Sequence, residues 1–466
     1  TLGVMLPYTP LHYLLLMETR DKFLIMTSGN AFGDPMISDD SQIHRLIGIV
    51  DYFLTHNRRI VNRVDDSVIR PTYGGFAILR CGRGMAPKLL NLPFKLRDKV
   101  VAYGAELQTA GAVGFDDKVV LAPFSGDTDN PLVLRDHESS IRYLMKSYGL
   151  DGGDLRVVAD LHPRYSSRRA AERFAEQNGF KLQLIQHHFS HMASVMAERG
   201  HDPEEPAVGV VMDGVGYGLD GAIWGGEIIA WDGSRFRRFG RLEYHVMPGG
   251  DLATKYPLRM LASIMLKIMD EGEVVELFRR MGFIKKMKYG LKELEACLKI
   301  VREGSGPKTS STGRFLDSIS ALLGICFERT YEGEPAISLE ENSVEIDEVF
   351  DAGRLLIEDR EGIEILTSEI LRILLDRLNT SPKGELAYTA QYLLGKALGE
   401  AAYIAANRFE VRELYVSGGA AVNHIILRGL ADGSSLKILV NREIPANDGG
   451  IAVGQVYIAG LMGDLD

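Results

Sequence analysis

The sequence predicts an α/β protein in which one arrangement of strands and helices occurs twice. The first observation is an order of three strands, then helix, strand, helix, strand and helix, which follows residue 96 and again follows residue 205. The second is a proline-interrupted stretch at residues 86–98, after a shorter mixed α/β segment. We therefore predict three units: residues 1–95, a first lobe at 96–204 and a second lobe at 205–466.

The elements of the first lobe follow from short apolar runs and amphipathic stretches. Its second and third strands are joined by an Asp-Asp turn, as in a hairpin. Strands are predicted in KVVAYGAEL, AGAVGF, KVVLAPF, LRVVADLH and KLQLIQ. Helices are predicted around residues 134–147, in RRAAERFAEQNG and from His187 onward.

The second lobe repeats this order with a long insertion at about residues 270–380, which ends at the polar stretch NTSPKGE. Its strands are predicted in AVGVVMDG, AIWGGEIIAW, RFGRLEYHV, ELYVSG and LKILV. Helices are predicted in AYTAQYLLGKALGEAAYIAANR, from Asn423 and from Gly449. Two such units are the pattern of the ribonuclease-H-like lobes of actin, Hsp70 and sugar kinases. In that fold the cleft between the lobes binds ATP, because loops and helix N-termini offer backbone N–H groups to phosphate.

Composition narrows the class of function. The 466 residues are 45% hydrophobic and 25% charged, as in soluble globular proteins, and no apolar run reaches the ~20 residues of a membrane span. A net charge of −10 without a long basic stripe argues against a nucleic-acid partner. The three cysteines are far apart in sequence, which favours a reducing cytoplasm over a disulfide framework. The chain begins at Thr1 in an apolar stretch, which indicates that an N-terminal part precedes residues 1–95.

A metal site is predicted where three histidines crowd the start of one helix. His187 and His191 are four residues apart and share a helix face, so one divalent metal can bind both. A metalloprotease needs a glutamate directly after the first histidine, and His188 stands there, which argues against peptide hydrolysis. An isolated pair of this kind is more often a capped helix start, so further ligands are needed.

Two aspartates are candidates for those ligands. Asp213 ends an apolar strand ahead of a glycine-rich stretch, and Asp448 comes just before the last predicted helix. A glycine-rich hairpin and a helix N-cap are the alternative interpretations. If the lobes face each other, His187, His191, Asp213 and Asp448 form one site. Imidazole ligands favour zinc or iron over magnesium.

Several residues are candidates for nucleotide contacts. SGGAAVN places Gly418 and Gly419 in a turn between a strand and a helix, with Asn423 one turn into that helix. In the insertion, Gly313 and Asp317 are predicted to precede a buried helix, and Glu334 to lie in a Gly-Glu-Pro turn. The carboxylates of Asp317 and Glu334 can bind ribose hydroxyls, or they can be solvated loop charges.

The first segment contains a second group of candidate phosphate ligands. MTSGN places Ser28 and Asn30 in a polar turn after a strand, and RGMAP contains Arg83. Arginine and a Ser/Asn turn can hold phosphate, whereas a surface charge cluster explains the same residues.

Together these motifs resemble the HypF family of hydrogenase maturation carbamoyltransferases. The motifs occur in that family's order along nearly the whole chain: YTPLHYLLL, MTSGN, RGMAP, QHHFSHMA, DGVGYG, IWGGE, PGGD, TSSTGR, YEGEPA, SGGAAVN and NDGG. Residues 1–95 are similar to the C-terminal part of a YrdC-type domain. The remainder resembles a threonylcarbamoyl transferase-type domain. The family's acylphosphatase and zinc-finger parts have no counterpart in this sequence. Gln108 and Thr109 stand where family members usually have Lys-Asn.

The resemblance implies a reaction in two steps. Carbamoyl phosphate and ATP form carbamoyl-adenylate, and the carbamoyl group then passes to the C-terminal cysteine of the partner HypE. It also implies that the metal, with magnesium as a possible companion, is bound by the His–His–Asp–Asp set. His187, His191 and Asp213 would be catalytic. Gly418, Gly419 and Asn423 would contact the nucleotide. Ser28, Asn30 and Arg83 would belong to the adenylate-forming site.

Three other functions remain open at this point. One is an O-carbamoyltransferase that acts on a small-molecule hydroxyl, and another is a tRNA threonylcarbamoyl transferase-like enzyme. The third is a non-enzymatic ATP-binding scaffold, which predicts no transition metal. Because Cys81, Cys297 and Cys326 lie outside the metal motif, an acyl acceptor is expected to come from a partner.

Overall fold

The first segment of the chain contains little regular structure. A computed structural model describes residues 2–31, 33–150, 152, 154–347, 351–358 and 362–461. The segment has helix α1 (Pro10–Glu18), a 3-10 helix (Asp40–Leu46), and an antiparallel hairpin of β1 (Val68–Thr72) and β2 (Gly75–Arg80). Among the described residues up to 61, only Leu46 is buried. The described residues 2–31 and 33–61 therefore contribute almost nothing to a hydrophobic core.

A six-stranded sheet forms the centre of the first lobe. Its elements are β3 (Lys88–Asn91), β4 (Lys99–Ala102), β5 (Ala112–Phe115), β6 (Lys118–Leu121), α2 (Pro131–Ser147), β7 (Leu155–Asp160), α3 (Ser166–Asn178), β8 (Lys181–Ile185) and α4 (His187–Arg199). The strands lie in the order β3-β6-β5-β4-β7-β8. The β4–β5–β6 pairs are antiparallel, while β7 and β8 run parallel to β4.

The second sheet has the same arrangement. It contains β9 (Ala207–Tyr217), β10 (Ile223–Trp231), β11 (Phe236–Leu242), β16 (Glu413–Ser417) and β17 (Lys437–Val440). These strands lie in the order β11-β10-β9-β16-β17, which matches β6-β5-β4-β7-β8 of the first lobe strand for strand. Helices α12 (Lys383–Phe409), α13 (His424–Ser434) and α14 (Ile451–Leu461) complete the repeat. The predicted duplicated α/β fold is confirmed.

The insertion extends the second sheet. Its elements, with the short strand that precedes them, are β12 (His245–Val246), α5 (Asp251–Lys255), α6 (Leu258–Met265), α7 (Glu271–Arg280), a 3-10 helix (Phe283–Lys286), α8 (Leu291–Glu303), β13 (Lys308–Thr309), α9 (Thr312–Leu322), α10 (Glu334–Glu341), a 3-10 helix (Gly353–Leu355), β14 (Leu356–Glu358), β15 (Ile363–Ile365) and α11 (Thr367–Arg377). Strand β15 pairs with β11, and β13 pairs with β10. Within the described residues, every helix is too short or too polar to cross a bilayer.

The two lobes exchange their last helices. Helix α14, which follows the last strand of the second lobe, packs on β4–β7 of the first sheet, and α4 packs on β9, β10 and β16 of the second. The two helices touch so closely that a Cβ on Gly454 would lie 1.8 Å from the Ser190 carbonyl oxygen. One apolar cluster therefore runs from the first sheet through both helices into the second. Helices α2 and α3 cover the outer face of the first sheet, and α6, α9 and α12 cover that of the second.

The β1–β2 hairpin is docked on two loops of the second lobe. Arg442 donates through its guanidinium to the carbonyl oxygens of Tyr73 (2.7 Å) and Phe76 (2.6 Å). The Thr72 hydroxyl donates to the Val422 carbonyl at 2.8 Å. These contacts join the first segment to the loop that precedes Asp448 and to the turn that precedes Asn423.

Candidate functional site

The four predicted metal ligands meet where the lobes face each other. His187, His191, Asp213 and Asp448 each offer one ligand atom, and these atoms all lie within 4.8 Å of one another. The Nε2 atom of His187 is 3.2 Å from Oδ2 of Asp213 and 3.7 Å from Oδ1 of Asp448. The Nε2 atom of His191 is 3.9 Å and 3.5 Å from the same two oxygens. Asp213 therefore links the two histidines of α4 to strand β9, and Asp448 links them to the start of α14.

A fifth residue, Asp160, orients His187 from behind. Its Oδ2 atom is 2.7 Å from His187 Nδ1, and its Oδ1 atom accepts from the His162 backbone N–H at 2.8 Å. Asp160 is fully buried at the end of β7. A carboxylate on one ring nitrogen turns the other toward the ligand cluster, as carboxylates behind metal-bound histidines do. Asp160 was missed by the sequence analysis, although the same signal, an aspartate after an apolar run, identified Asp213 in the second lobe.

The donor set fits a divalent cation. Both ring nitrogens of His191 are buried and have no hydrogen-bond partner among the described residues. A buried imidazole without a partner is costly, and a metal bond at one nitrogen would remove part of that cost. Two imidazoles with two carboxylates are a ligand set that zinc and iron accept. The assignment of these residues to a metal stays a prediction.

Protonation states in the cluster follow from burial and from the carboxylates. Burial opposes charge on His187, but the nearby Asp160 and Asp448 outweigh it and raise the pKa of His187 well above its ordinary value. Burial lowers the pKa of His188 well below its ordinary range. Burial also opposes ionisation of Asp213, yet the hydrogen bond from His187 and the adjacent imidazoles lower the pKa of Asp213. Burial raises the pKa of Asp448. The carboxylates around His187 thus favour a positive charge at this position, which either a proton or a bound metal cation supplies.

The glycine turn of the second lobe lies directly beside Asp213. Gly418 has a φ of +103°, and a Cβ there would lie 2.2 Å from the Met212 carbonyl oxygen, so both conformation and space require glycine. The Gly418 N–H donates to the Ala446 carbonyl at 2.9 Å. The Gly419 N–H points at Oδ1 of Asp213, 3.3 Å away. The turn therefore offers one weakly engaged N–H group to the cleft.

The other predicted nucleotide ligands have structural partners. Asn423 is not one turn into a helix but is the N-cap of α13: its Oδ1 accepts from Ile426 N–H at 2.9 Å, and its side-chain amide donates to Gln391 at 2.7 Å. Gly313 lies within α9, where a Cβ would be 3.2 Å from Cα of Gly214. Gly313 therefore lies beside the neighbour of Asp213, whereas the Asn423 side chain is engaged in capping α13 and in bonding α12.

The two candidate carboxylates of the insertion differ from their predicted surroundings. Asp317 lies inside α9, not before it, and pairs with the buried Arg314 at 2.7 Å. Burial raises the pKa of Asp317. Glu334 is the first residue of α10, not a turn residue, and accepts from the Thr330 N–H and hydroxyl at 2.5 and 2.8 Å. These hydrogen bonds lower the pKa of Glu334.

Two of the candidate phosphate ligands of the first segment, Arg83 and Asn30, have other side-chain partners. Arg83 pairs with Asp66 at 3.1 Å and stacks over the Tyr8 ring at 5.3 Å. The Asn30 side chain donates to the carbonyls of Ala31 and Asp34, both at 3.0 Å. Over the described ranges, no hydrogen bond or ion pair joins Arg83 to Asn30 or to Ser28.

Three family profiles together match most of the chain. Residues 209–455 match the second subdomain of a carbamoyltransferase Kae1-like domain. Residues 95–198 match the HypF Kae1-like domain. Residues 1–82 match a profile described as telomere recombination, which is named for Sua5, YciO and YrdC.

Named relatives match most or nearly all of the chain. A probable carbamoyltransferase HypF of Methanocaldococcus jannaschii is 37% identical over 464 residues, which is 98% of this chain and 58% of that protein. The carbamoyltransferase HypF2 of Cupriavidus necator is 32% identical over 98% of this chain and 60% of its own length. A HypF homolog of the same organism is 30% identical over 77% of this chain and 91% of its own. The chain spans about three fifths of the length of the first two relatives.

Two crystal structures have the same fold. The structure of T. kodakarensis HypF superposes with a TM-score of 0.90 at 34% identity, over 98% of this chain and 60% of that one. A full-length HypF in the phosphate- and nucleotide-bound form superposes with a TM-score of 0.88 at 29% identity, over 99% and 71%.

Proposed function

The chain belongs to the HypF carbamoyltransferase family, as its motifs indicated, and from this premise we propose that it moves a carbamoyl group from carbamoyl-adenylate to the C-terminal cysteine of a HypE-like protein. The carbamoyl-adenylate would be made from carbamoyl phosphate and ATP. The single observation that supports the proposal most is the cluster of His187, His191, Asp213 and Asp448 between the lobes.

The proposed division of labour follows the predicted units. Residues 1–95, apart from strand β3, which pairs with β6 in the sheet of the first lobe, would belong to the YrdC-like domain that makes the adenylate, with Ser28, Asn30 and Arg83 in its site. Residues 96–204 and 205–466 would be the lobes of the transferase domain. A cytoplasmic setting is supported by three cysteines that are all free and buried.

The charge balance of the cluster supports a bound metal. Asp160, Asp213 and Asp448 place three carboxylates around two imidazoles in a buried volume. A nucleotide phosphate would be repelled there unless a cation offset those charges. The His–His–Asp–Asp ligands would hold zinc or iron. A bound metal of this type would polarise carbamoyl or phosphate oxygens as a Lewis acid.

The chain's own groups would orient the substrate. The Gly419 N–H is close to the cluster and only weakly engaged by Asp213, so it is suited to hydrogen-bond an adenylate phosphate. Asn423 and Gly313 would line the nucleotide side of the cleft, with Asp317 and Glu334 farther out in the insertion. Asp160 would keep His187 turned toward the reacting group.

The acceptor in this proposal is a thiol from outside the chain. The new S–C bond forms at the carbamoyl carbon as the C–O bond to AMP breaks, and AMP leaves with the electron pair while the thiol gives up its proton. The chain's own cysteines are poor nucleophiles, because burial raises the pKa of both Cys81 and Cys297 to about 11. A flexible protein tail reaches a buried adenylate more readily than a folded surface does.

The test is transfer from supplied carbamoyl-adenylate to a HypE-like acceptor, followed by intact-mass measurement. The double variant H187A/H191A should lose transfer by more than about 100-fold, because it removes two metal ligands. Removing a residue that only hydrogen-bonds to a ligand already costs about 10–100-fold in metal affinity or activity. The variant H56A, which changes an exposed histidine outside the cluster, should transfer normally.

Transfer that persists in the double variant would contradict a catalytic role for the cluster. Carbamoylation of a small-molecule hydroxyl instead of the thiol would favour the O-carbamoyltransferase, and modification of tRNA would favour the threonylcarbamoyl transferase. Nucleotide binding without a transition metal would favour the scaffold.

A further inference from the structure

The metal candidate Asp213 lies in a β-bulge. Trp224 of β10 pairs with Gly216 of β9, and Gly226 pairs with Met212, so a single residue of β10 faces three residues of β9. Those three are residues 213–215. Asp213 lies on the same face of β9 as Gly209 and Val211, toward helix α4, and is the first residue of the bulge, so the shape of the bulge fixes where its carboxylate lies.

A bulge of this width leaves backbone groups on both strands without their ladder partners. On β10 the N–H groups of Gly225 and Gly226 bond to a side chain instead, and on β9 the carbonyls of Asp213 and Gly214 do so. Both positions also require glycine, because a Cβ on Gly225 would lie 2.5 Å from the Asp213 carbonyl oxygen, and one on Gly226 would lie 2.8 Å from that of Ser310. The partners of these backbone groups come from two side chains.

A buried carboxylate supplies the partners on β10. Oε1 of Glu227 accepts from the N–H of Gly225 at 3.0 Å, from that of Gly226 at 3.1 Å, and from the Ser310 hydroxyl at 2.5 Å. Glu227 is fully buried. Its carboxylate thus takes the place of the strand pairing that the bulge removes.

The next residue after Ser310 supplies the partner on β9. The Ser311 hydroxyl donates to the Gly214 carbonyl at 2.6 Å, with the Asp213 carbonyl 3.3 Å away. Since Ser310 and Ser311 are adjacent, the carboxylate of Glu227 is linked through them to the backbone of the bulge itself.

An arginine balances the buried charge on the far side. Arg238 lies 3.4 Å from Oε2 of Glu227, pairs with Asp220 at 2.9 Å, and stacks over the Trp224 ring at 4.2 Å. Oε1 therefore faces the bulge and Oε2 faces the arginine, which separates a hydrogen-bonding role from an ionic one.

We propose that Glu227 is a positioning residue for the metal ligand Asp213: its Oε1 atom holds the bulge of β9 in the shape that presents the Asp213 carboxylate to His187 and His191. This inference rests on the proposed function, because it assumes that Asp213 is a ligand. The glutamate of the IWGGE motif thus supports the site by holding the backbone that carries Asp213, without binding the metal itself.

Two variants separate hydrogen-bonding reach from charge. E227Q keeps an oxygen that can accept the glycine N–H groups but loses the ionic partner of Arg238. E227D keeps the charge but withdraws the oxygen by about one C–C bond, ~1.5 Å, so that both N–H groups lose their acceptor. Each variant is made in the full chain, loaded with Co²⁺, and measured by its visible absorption spectrum and by competition with a chelator. E227D should bind Co²⁺ about 10–100-fold more weakly with an altered spectrum, whereas E227Q should stay close to wild type.

The matched control is E293A. Glu293 is another buried carboxylate of the second lobe that pairs with an arginine and accepts a hydrogen bond from a backbone N–H. Glu293 pairs with Arg259 at 2.7 Å and accepts from Tyr289 N–H at 3.0 Å, outside the cluster. It should lower the melting temperature without changing Co²⁺ binding.

Four outcomes would overturn the proposal. In the first, E227D binds Co²⁺ as wild type does. In the second, E227Q is the weaker of the pair, which assigns Glu227 an ionic role. In the third, E293A weakens binding equally, which reduces the effect to general destabilisation. These three leave the proposed function intact, whereas a wild-type chain that binds neither Co²⁺ nor Zn²⁺ would remove the metal site as well.

Discussion

The two lobes have one strand order and contribute different chemistry at equivalent positions. In the first lobe, strand β7 ends at Asp160 and helix α4 opens with His187 and His191. In the second lobe, β16 ends at Ser417, and Asp448 precedes α14. The imidazoles come from one lobe, and the two candidate carboxylate ligands come from the other.

This difference shows how a duplicated fold can build a site that neither copy contains. A lobe with histidines alone holds a metal weakly, and a lobe with two aspartates alone prefers hard cations. The cluster exists only where the exchanged helices bring the lobes together. Three changes test how far the lobes are unequal and how far they depend on each other.

The largest difference is expected between variants of the two strand-ending residues, Asp160 and Ser417. D160N removes the charge behind His187 and should weaken metal binding about 10–100-fold, because the outer partner sets the orientation and basicity of the ligand. S417A changes the equivalent residue of the second lobe, whose hydroxyl donates to Asn441 at 2.8 Å, and should leave metal affinity unchanged. The measurement is competition with a chromophoric chelator. Equal losses in both variants would mean that the lobes support the cluster symmetrically.

A smaller effect is expected from the contact between the exchanged helices. G454A places a Cβ 1.8 Å from the Ser190 carbonyl oxygen and should cost about 1–3 kcal/mol of unfolding free energy by overpacking. It should also weaken metal binding, since α4 contributes the histidines and α14 follows Asp448. G395A creates a similar clash, 2.1 Å from the Ile426 carbonyl oxygen, between α12 and α13 of the second lobe alone.

Urea unfolding and metal competition on both glycine variants distinguish the two contacts. A loss of stability without a loss of metal affinity is expected for G395A only. The same result for G454A would show that the cluster tolerates separation of the lobes.

The smallest effect is a pH dependence of the free energy of unfolding, to which one buried histidine in each lobe should contribute. Burial lowers the pKa of His137 in the first lobe and of His245 in the second, each to about 4. In the unfolded chain a histidine has a pKa of about 6.5, so the unfolded state binds more protons between those values. The stabilisation is complete above about pH 6.5 and falls as the pH drops toward 4, by about 1 kcal/mol per histidine at about pH 5.5.

Urea unfolding at about pH 8 and about pH 5.5 measures this dependence. H137Q and H245Q should each flatten it by a similar amount. A dependence that stays as steep in both variants as in the wild type would contradict this assignment.

Local patterns predicted the elements and the central cluster well. The histidine pair needed only helix periodicity, and Asp448 was identified by its place at a helix start. Asp213 was identified at the end of an apolar run, although β9 does not end there but continues to Tyr217. Asp160 was missed because its role depends on a contact with a helix 27 residues away, which no local period encodes. Asp317 was misplaced because the start of α9 was set too late, which hid its spacing of three from Arg314. Which sheet each last helix covers also stayed out of reach, since the order of elements does not specify it.

The exchange of helices has a consequence for the chain as it leaves the ribosome. The first sheet is synthesised long before α14, which covers its inner face through contacts such as Val456 against Gly114. Until residues 451–461 emerge, that apolar face is exposed to water, and the first lobe cannot complete its fold alone. Truncation anywhere before α14 should therefore damage the lobe at the opposite end of the domain. We therefore expect the incomplete chain to be prone to aggregation during translation.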